Sequence, residues 1–230
     1  SNPIAPIAHH WLDATHVSFG VVTAGVAARR WKVEASAFNG REPDEHRRDI
    51  DLGPLDSVSG RIWLLPSPRW ALQVSAGHLT DADAPHEGRD RVSKNLVTAS
   101  ATYHRRGPGD AHVSASTVAW GRKREADTAT SFVLAETSVT FDNRHSWFGR
   151  AEAGEKTPHD MSLHGITQSL PMGKLQAGYV RHTRAWRSWW PGVGGSVSAS
   201  IVTPAIALRY GSRVTWGGGV FVSLQPALMR

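Results

Sequence analysis

Residues 29–77 decide the fold, and they read RRWKVEASAFNGREPDEHRRDIDLGPLDSVSGRIWLLPSPRWALQVSAG. Trp31–Ala37 alternates apolar and polar residues, which is the period of a β-strand with one apolar and one polar face. The charged stretch Arg41–Asp56 interrupts this pattern, Ser57–Leu64 restores it, and a short proline turn leads into the alternating Trp70–Ala76. The order is strand, long loop, strand, short turn, strand, as expected of an antiparallel meander with its long loops on one side. That asymmetry is typical of a bacterial outer-membrane β-barrel.

The same alternation continues to the C-terminus and predicts an all-β, antiparallel up-and-down transmembrane barrel in a single domain, residues 1–230. The eleven predicted strands are His16–Val26, Trp31–Asn39, Ser57–Leu65, Trp70–Leu79, Asn95–His104, Ala111–Arg122, Ser131–Phe141, His145–Glu155, one strand within Ile166–His182, Gly195–Val202 and Trp216–Gln225. Residues 1–15 form an irregular lead-in, and no segment has a helical period. Bacterial single-chain barrels close with an even number of strands, so we expect 12 or more in the complete barrel. At least one N-terminal strand is then missing from this sequence or supplied by another chain.

Composition narrows the possible functions. The 230 residues contain no run of about 18 apolar residues, so no transmembrane helix is predicted. Cysteine is absent, which excludes disulfides, iron–sulfur clusters, thiolate zinc sites and thiol catalysis. The net charge is +6, but the basic residues are scattered among acidic ones, and we therefore expect no nucleic-acid partner. Ten Trp against three Tyr suit a membrane–water interface, although a soluble β-sandwich, the main rival fold, would hold the same Trp in its core.

Loop length predicts the orientation of the barrel. Outer-membrane barrels keep short turns in the periplasm and long loops outside. Connections one, three, five and seven are short, whereas two, four, six and eight are mostly longer, and connection nine breaks the trend. We therefore expect Arg41–Asp56 and Thr80–Arg91 on the cell exterior and the turn Arg106–Asp110 in the periplasm.

The strand period also assigns side chains to the two faces of the sheet. The outward, lipid-facing set is predicted to include Val17, Phe19, Val33, Ile62, Val74, Val113, Val139, Leu175, Val197 and Val222, and Val21 shares the face of Phe19. The predicted lumen-lining set is Glu34, Arg61, Gln73, Glu136, Arg150, Glu152 and Lys174. Both signs of charge occur in this second set. It forms either a salt-bridged lining that holds the lumen together or a polar pore whose charges select solutes.

Catalytic and metal-binding signals are weak. The one dense group of candidate metal ligands is His9, His10, Asp13 and His16, whose imidazoles and carboxylate suit zinc, copper or nickel. Its spacing matches no closed structural motif, and surface histidines at a strand entrance are the favoured interpretation. The sequence has no Gly-x-Ser-x-Gly elbow, and Gly217–Gly219 opens a strand rather than a phosphate-binding loop. We expect no enzyme activity, no metal and no cofactor.

Several stretches together resemble a known family. They are His9–His16 (HHWLDATH), Phe38–Glu45 (FNGREPDE), Tyr103 with the Ala-Thr before it, Phe148–Glu152 (FGRAE) and Gly178–Arg181 (GYVR). They resemble an uncharacterised family of porin-like β-barrel proteins in the outer membrane of Gram-negative bacteria, and FNGREPDE is the most specific part. The resemblance spans most of the chain and implies a longer N-terminus and a bacterial outer-membrane location. It supplies no catalytic residue, and metal-resistance settings within the family keep the histidine group as a candidate. The chain ends Ala227-Leu228-Met229-Arg230, whereas barrels commonly end in an aromatic residue.

The sequence therefore predicts an outer-membrane barrel that acts as a narrow, porin-like channel. Its partners are outer-membrane lipid and small polar solutes or ions. The alternative is a structural or scaffold barrel with a plugged lumen, which docks a protein partner of unknown identity through its long loops. In the channel and in the scaffold barrel the apolar face contacts lipid, whereas in a β-sandwich it contacts a second sheet. This contact distinguishes the two barrels from the β-sandwich.

Overall fold

The computed structural model describes residues 2, 4, 6–12, 18–41, 53–82, 92–108, 112–161, 163, 168–184, 186 and 189–226. These residues form one antiparallel sheet of eleven strands, in which each strand neighbours the next in sequence order. The predicted all-β fold and strand number are confirmed. Strands β1 and β11 are the two edges of the sheet, so the sheet is not closed among the described residues.

The strands follow the sequence period closely. They are β1 Phe19–Ala28, β2 Trp31–Asn39, β3 Ser57–Ser67, β4 Trp70–Leu79, β5 Lys94–Arg106, β6 His112–Glu125, β7 Thr128–Phe141, β8 His145–Lys156, β9 Leu170–His182, β10 Trp189–Val202 and β11 Val214–Pro226. The bounds of β2 and β4 are those predicted, because each alternating run begins at a Trp and ends at a loop. Strand β10 begins at Trp189, six residues before the predicted start at Gly195.

Two short helices lie outside the strands, although no segment of the sequence has a helical period. Helix α1 is His9–Leu12, inside the predicted irregular lead-in, and helix α2 is Pro204–Tyr210. Helix α2 has Pro at its start and ends at Gly211, whose φ of 74° lies in the left-handed region. Both residues are typical of the helix ends at which they occur. A 3-10 turn covers His159–Met161. Neither α-helix of the described chain has the length and apolar character that a membrane crossing requires.

Turn geometry corrects the predicted lengths of two connections. Strands β6 and β7 are joined by only Ala126 and Asp127, with Ala126 at φ 47°, so connection six is a tight turn rather than a long loop. Connection nine is shorter than predicted because β10 begins early. The turn between β7 and β8 places Asp142 and Asn143 at φ 49° and 53°, the pattern of a type I′ hairpin that these two residue types tolerate well. The loop interiors 42–52, 83–91 and 109–111 lie outside the described residues, and the predicted orientation stays a prediction.

The two faces of the sheet differ in chemistry. We call the side that carries Glu34, Gln73, Lys123 and Arg150 the polar face, and the opposite side the apolar face. Seven of the outward set lie on the apolar face: Val139 is half-buried, and the other six, Val33, Ile62, Val74, Leu175, Val197 and Val222, are 39–79% exposed. Cross-strand pairs such as Val33 with Ile62 and Ile62 with Val74 join residues that were predicted to share this face.

Two side chains depart from the predicted faces, and two others are not described. Gly20 has a φ of 57° and forms a bulge between Phe19 and Val22, which shifts the alternation by one residue. Val21 therefore lies on the polar face rather than the apolar one. Val113 has the parity of Gly121 and Lys123, which are buried on the polar face of β6, so its predicted outward position is also wrong. Val17 lies outside the described residues, and so does the side chain of Phe19.

The described chain divides into two compact units. The C-terminal unit contains Ser1–Ile7, Thr102–Val118 and Leu134–Arg230, and the N-terminal unit contains Ala8–Ala101 and Ala119–Val133. In the C-terminal unit, Ile206 of α2 packs into a buried cluster with Leu170 and Val202. In the N-terminal unit, the buried cluster is Phe38, Leu79 and Ala82, at the loop ends of β2 and β4.

Candidate functional site

The predicted lumen-lining residues lie on the polar face, and strand pairing places several of them opposite one another. Strand pairing places Glu34 opposite Arg61 in the N-terminal unit. In the C-terminal unit it places Arg150 opposite Gln176 and Glu152 opposite Lys174. Gln73 is buried among hydroxyl groups, with its Nε2 3.4 Å from Thr98 Oγ1 and its Oε1 accepting from Ser100 Oγ at 3.2 Å.

The principal ion pair of the C-terminal unit joins two predicted residues. Arg150 Nη2 and Nε each lie 3.0 Å from Glu136 Oε2, and the Arg150 side chain is only 8% exposed. Two contacts from the same guanidinium to one oxygen hold Arg150 in a fixed position. Each charge of this pair therefore has an opposite charge within hydrogen-bond distance.

The N-terminal segment occupies the polar face of this unit. Arg150 Nη1 donates to the carbonyl oxygen of Ile4 at 2.8 Å, and Asn2 Nδ2 donates to Gln176 Oε1 at 2.9 Å. Gln176 is 5% exposed, so its amide is removed from solvent. The segment is thus held by hydrogen bonds to β8 and β9, and the same Arg150 serves both Glu136 and the segment.

Helix α1 occupies the polar face of the N-terminal unit. Trp11 is fully buried, its Nε1 donates to Thr130 Oγ1 at 2.9 Å, and its ring lies 4.8 Å from that of Phe132. A Cβ atom added to Gly121 would lie 2.6 Å from the Trp11 carbonyl oxygen, a distance that Cβ atoms do not reach. Glycine at this position of β6 therefore lets the helix backbone approach the strand.

A buried lysine extends this contact. Lys123 is 3% exposed, and its Nζ lies 5.0 Å from the centroid of the Trp11 ring, within the range of a cation–π interaction. Glu125 lies 3.5 Å from Lys123 and 3.7 Å from Lys94. The charges that surround α1 are therefore paired, as a buried position requires.

The histidine group is only partly described. His9 and His10 lie in α1 with ring centroids 4.1 Å apart, and Asp13 and His16 lie outside the described residues. Within the described part of the chain, no group of three or more His, Asp or Glu side chains could hold a metal ion. The buried side chain of the helix is that of Trp11, whereas both histidines are half-buried.

A buried Ser–His pair lies elsewhere in the C-terminal unit. Ser146 Oγ is 3.2 Å from His182 Nε2, and Thr140 Oγ1 is 2.8 Å from the same Ser146 oxygen. A nucleophile and base need a third group to orient the base, but His182 Nδ1 has no hydrogen-bond partner among the described residues. Ser146 and His182 are also 3% and 4% exposed. This arrangement packs three strands together and gives a substrate no access to the serine.

A second ion pair lies beside the two long loops of the N-terminal unit. Arg41 Nη1 donates to Asp56 Oδ1 at 3.1 Å, Arg41 Nη2 pairs with Asp56 Oδ2, and Asp81 Oδ2 lies 3.7 Å from the same nitrogen. Hydrogen bonding to Arg41 lowers the pKa of Asp56 below its ordinary value of 3.8. The pair joins the residues that flank strands β2 and β3, next to the start of the loop.

Sequence patterns did not identify Trp11, Gly121, Lys123 and Thr130 as a set. A Trp and two His inside an otherwise irregular lead-in were the available signal, and they were interpreted through the histidines. Gly121 was a second signal, because glycine inside a strand marks a close backbone approach. Neither residue type shows which strand the lead-in contacts.

No family model and no curated protein matches the chain. Among solved structures, the chain is similar to OmpT, an outer membrane protein of Vibrio cholerae, with a TM-score of 0.50 and 9% sequence identity. The match covers 89% of this chain and 64% of that one, so the chain spans less than two thirds of the length of its structural neighbour. At this identity the similarity concerns the fold, which is that of an outer-membrane β-barrel sheet.

Proposed function

We propose that this protein forms a narrow polar channel in the outer membrane of Gram-negative bacteria, with its N-terminal segment lying inside the lumen. The observation that carries the proposal is the contrast between the two faces. One is apolar and exposed along many strands, and the other holds paired charges, hydroxyl groups and the N-terminal segment.

The apolar face supports a membrane location. Ile62, Val74 and Val197 are each at least half exposed, and exposed large hydrophobic residues continue from β1 to β11. Apolar surface in water costs about 25 cal/mol per Å², so a continuous face of this kind is stable against lipid tails. Trp31, Trp70 and Trp189, at strand ends and also exposed, suit the membrane–water interface.

The polar face supports a narrow lumen. Barrels of around eight strands are filled by their own side chains, whereas those of about 16 leave an open channel. The eleven observed strands, together with those needed to close the barrel, give a strand number between these two cases. Within each unit the inward charges are paired, Arg150 with Glu136 and Lys123 with Glu125, so water in either unit would pass between paired charges.

The experiment is a planar-bilayer recording with protein purified in detergent. We expect the protein to require detergent for solubility and to give single-channel steps of low conductance. Well-folded protein that gives no steps would overturn the channel, and a monodisperse protein in detergent-free buffer would overturn the membrane location. Heat-unfolded protein in the same detergent is the control for detergent leaks.

The second candidate is a plugged scaffold barrel. The full burial of Trp11 on the polar face favours it, because a firmly docked segment closes the lumen. A folded barrel without conductance, whose stability rather than permeability changes when Trp11 is replaced, supports this candidate. A partner would then bind the long loops Arg41–Asp56 and Thr80–Arg91.

A further inference from the structure

A cavity of about 380 Å³ lies on the polar face of the N-terminal unit. Its size falls in the range of small-molecule sites, roughly 300–1,000 Å³. Trp11 and Leu12 of α1 form one wall, and Ser18 and strands β1 to β5 form the rest. The strands and the N-terminal helix thus enclose it together.

The strand register sorts the cavity into three levels. Phe38 and Leu79 lie at the loop end of their strands and make that end apolar. Ser36 lies opposite Ser59 in the middle, where hydroxyl groups line the wall. Glu34 lies opposite Arg61 at the level nearest the short turns. A ligand in this cavity meets an apolar end, a hydroxyl-lined middle and a charged end.

The charged end carries more positive than negative charge. Glu34 Oε1 lies 2.7 Å from Lys32 Nζ, so this carboxylate already has an ammonium partner. The guanidinium of Arg61 lies 6.0 Å from the centroid of the Trp63 ring. Glu34 also attracts Arg61 electrostatically, but no carboxylate of the described residues lies within ion-pair distance of this guanidinium. Its planar fork suits the two oxygens of a carboxylate.

We propose that this cavity binds a small organic carboxylate with an apolar body. The carboxylate pairs with Arg61, and the apolar body lies against Phe38, Leu79 and Trp11. The hydroxyl groups of the middle level can bind water molecules that solvate the carboxylate of the ligand. This inference rests on the proposed function in that it names the class of solute for the same lumen, and its test measures binding rather than conductance.

The test uses the full-length protein in non-ionic detergent micelles and 3-phenylpropanoate as the probe. Saturable binding is measured by equilibrium dialysis against empty micelles, in parallel with the neutral 3-phenylpropanol. We expect the acid to bind at least ten times more tightly than the alcohol. Arg61→Gln should reduce the affinity for the acid at least tenfold and leave the alcohol unchanged.

The matched control is Arg213→Gln, which removes an exposed arginine before β11, in the other unit. It should bind the acid as the unaltered protein does. Equal affinity for acid and alcohol, or full affinity in Arg61→Gln, would overturn the proposal. Thermal unfolding of each variant checks the fold, and Arg61→Lys, which keeps the charge but not the fork, should recover part of the affinity. A protein that binds the acid without conducting contradicts the channel alone, whereas a conducting protein without saturable binding contradicts this site alone.

Discussion

The indole Nε1 of Trp11 lies 2.9 Å from the hydroxyl oxygen of Thr130, a residue 119 positions later in the chain. Through this bond, the ring contact with Phe132 and the nearby Lys123, helix α1 is held against the polar face of β6 and β7. An N-terminal segment that was predicted to be irregular is thereby an internal part of the fold.

Replacing Trp11 by Ala should release this segment and raise the single-channel conductance. Loss of a buried Trp costs about 3–5 kcal/mol, and here that cost falls on the docking of α1 rather than on strand pairing. Conductance in planar bilayers and chymotrypsin cleavage after Leu12 in the freed N-terminus are the measurements, since residues 1–28 contain no Lys or Arg. Trp216→Ala, which removes a Trp that is 78% exposed on the apolar face, should change neither. Unaltered conductance in Trp11→Ala, with the N-terminus cleaved, would show that the segment does not obstruct a path.

Gly121→Ala should displace α1 by a different route. The added Cβ would meet the Trp11 carbonyl oxygen at 2.6 Å, and because that atom belongs to the backbone, the helix itself must move. We expect faster hydrogen exchange at residues 9–12 and a lower unfolding midpoint. Gly219→Ala is the matched control, since a Cβ there meets nothing within 4 Å. Equal exchange in the two variants would contradict the close approach of α1 to β6.

The Arg150–Glu136 pair should set ion preference if the lumen conducts. Arg150→Ala leaves the Glu136 carboxylate without its guanidinium, so the reversal potential in a salt gradient should shift towards cations. Glu136→Gln should shift it towards anions. Because hydrogen bonds to charged groups contribute about 1.5–3 kcal/mol, Arg150→Ala should also lower stability, all the more since Arg150 binds the Ile4 carbonyl. Shifts of the same sign in both variants would exclude a role of this pair in selectivity.

Acidification should weaken the contact between Arg41 and Asp56. The pKa of Asp56 is lower in the folded protein than its ordinary value of 3.8, because Arg41 donates hydrogen bonds to it. The stabilisation is therefore fully present above pH 3.8 and is lost as the pH falls through the lower, folded value. The Asp56 carboxyl signal, followed by NMR, should titrate below 3.8 in the unaltered protein and return towards that value in Arg41→Gln. An unchanged titration in this variant would assign the shift to another group.

Orientation is tested by protease on intact cells. Trypsin should cut within Arg41–Asp56 and Thr80–Arg91, which are long and charged, and spare the turn at Arg106–Asp110. Permeabilised cells, in which every site is accessible, are the control. Protection of both sets in intact cells, or cleavage of both, would contradict the assignment of long loops to the exterior.

The sequence alone determined the strands and most of their faces. Alternation with a period of two is a local property, and it placed β2, β4 and the inward residues Gln73 and Glu152 because neighbouring side chains must point to opposite sides of a strand. It failed where the backbone departs from that period, as at the Gly20 bulge, which moves Val21 to the other face. It also failed at the two-residue turn after β6, because Ala126 is not a residue type that marks turns.

Only the tertiary structure decided which polar groups meet. Lys32 rather than Arg61 lies closest to Glu34, and Arg150 binds both Glu136 and the N-terminal segment. Trp11 reaches Thr130 through the register of many successive strands, and no local pattern encodes a contact between residues 119 positions apart. The physical reason is that composition and alternation fix what each strand exposes, whereas the partners of a side chain depend on where every other strand has come to lie.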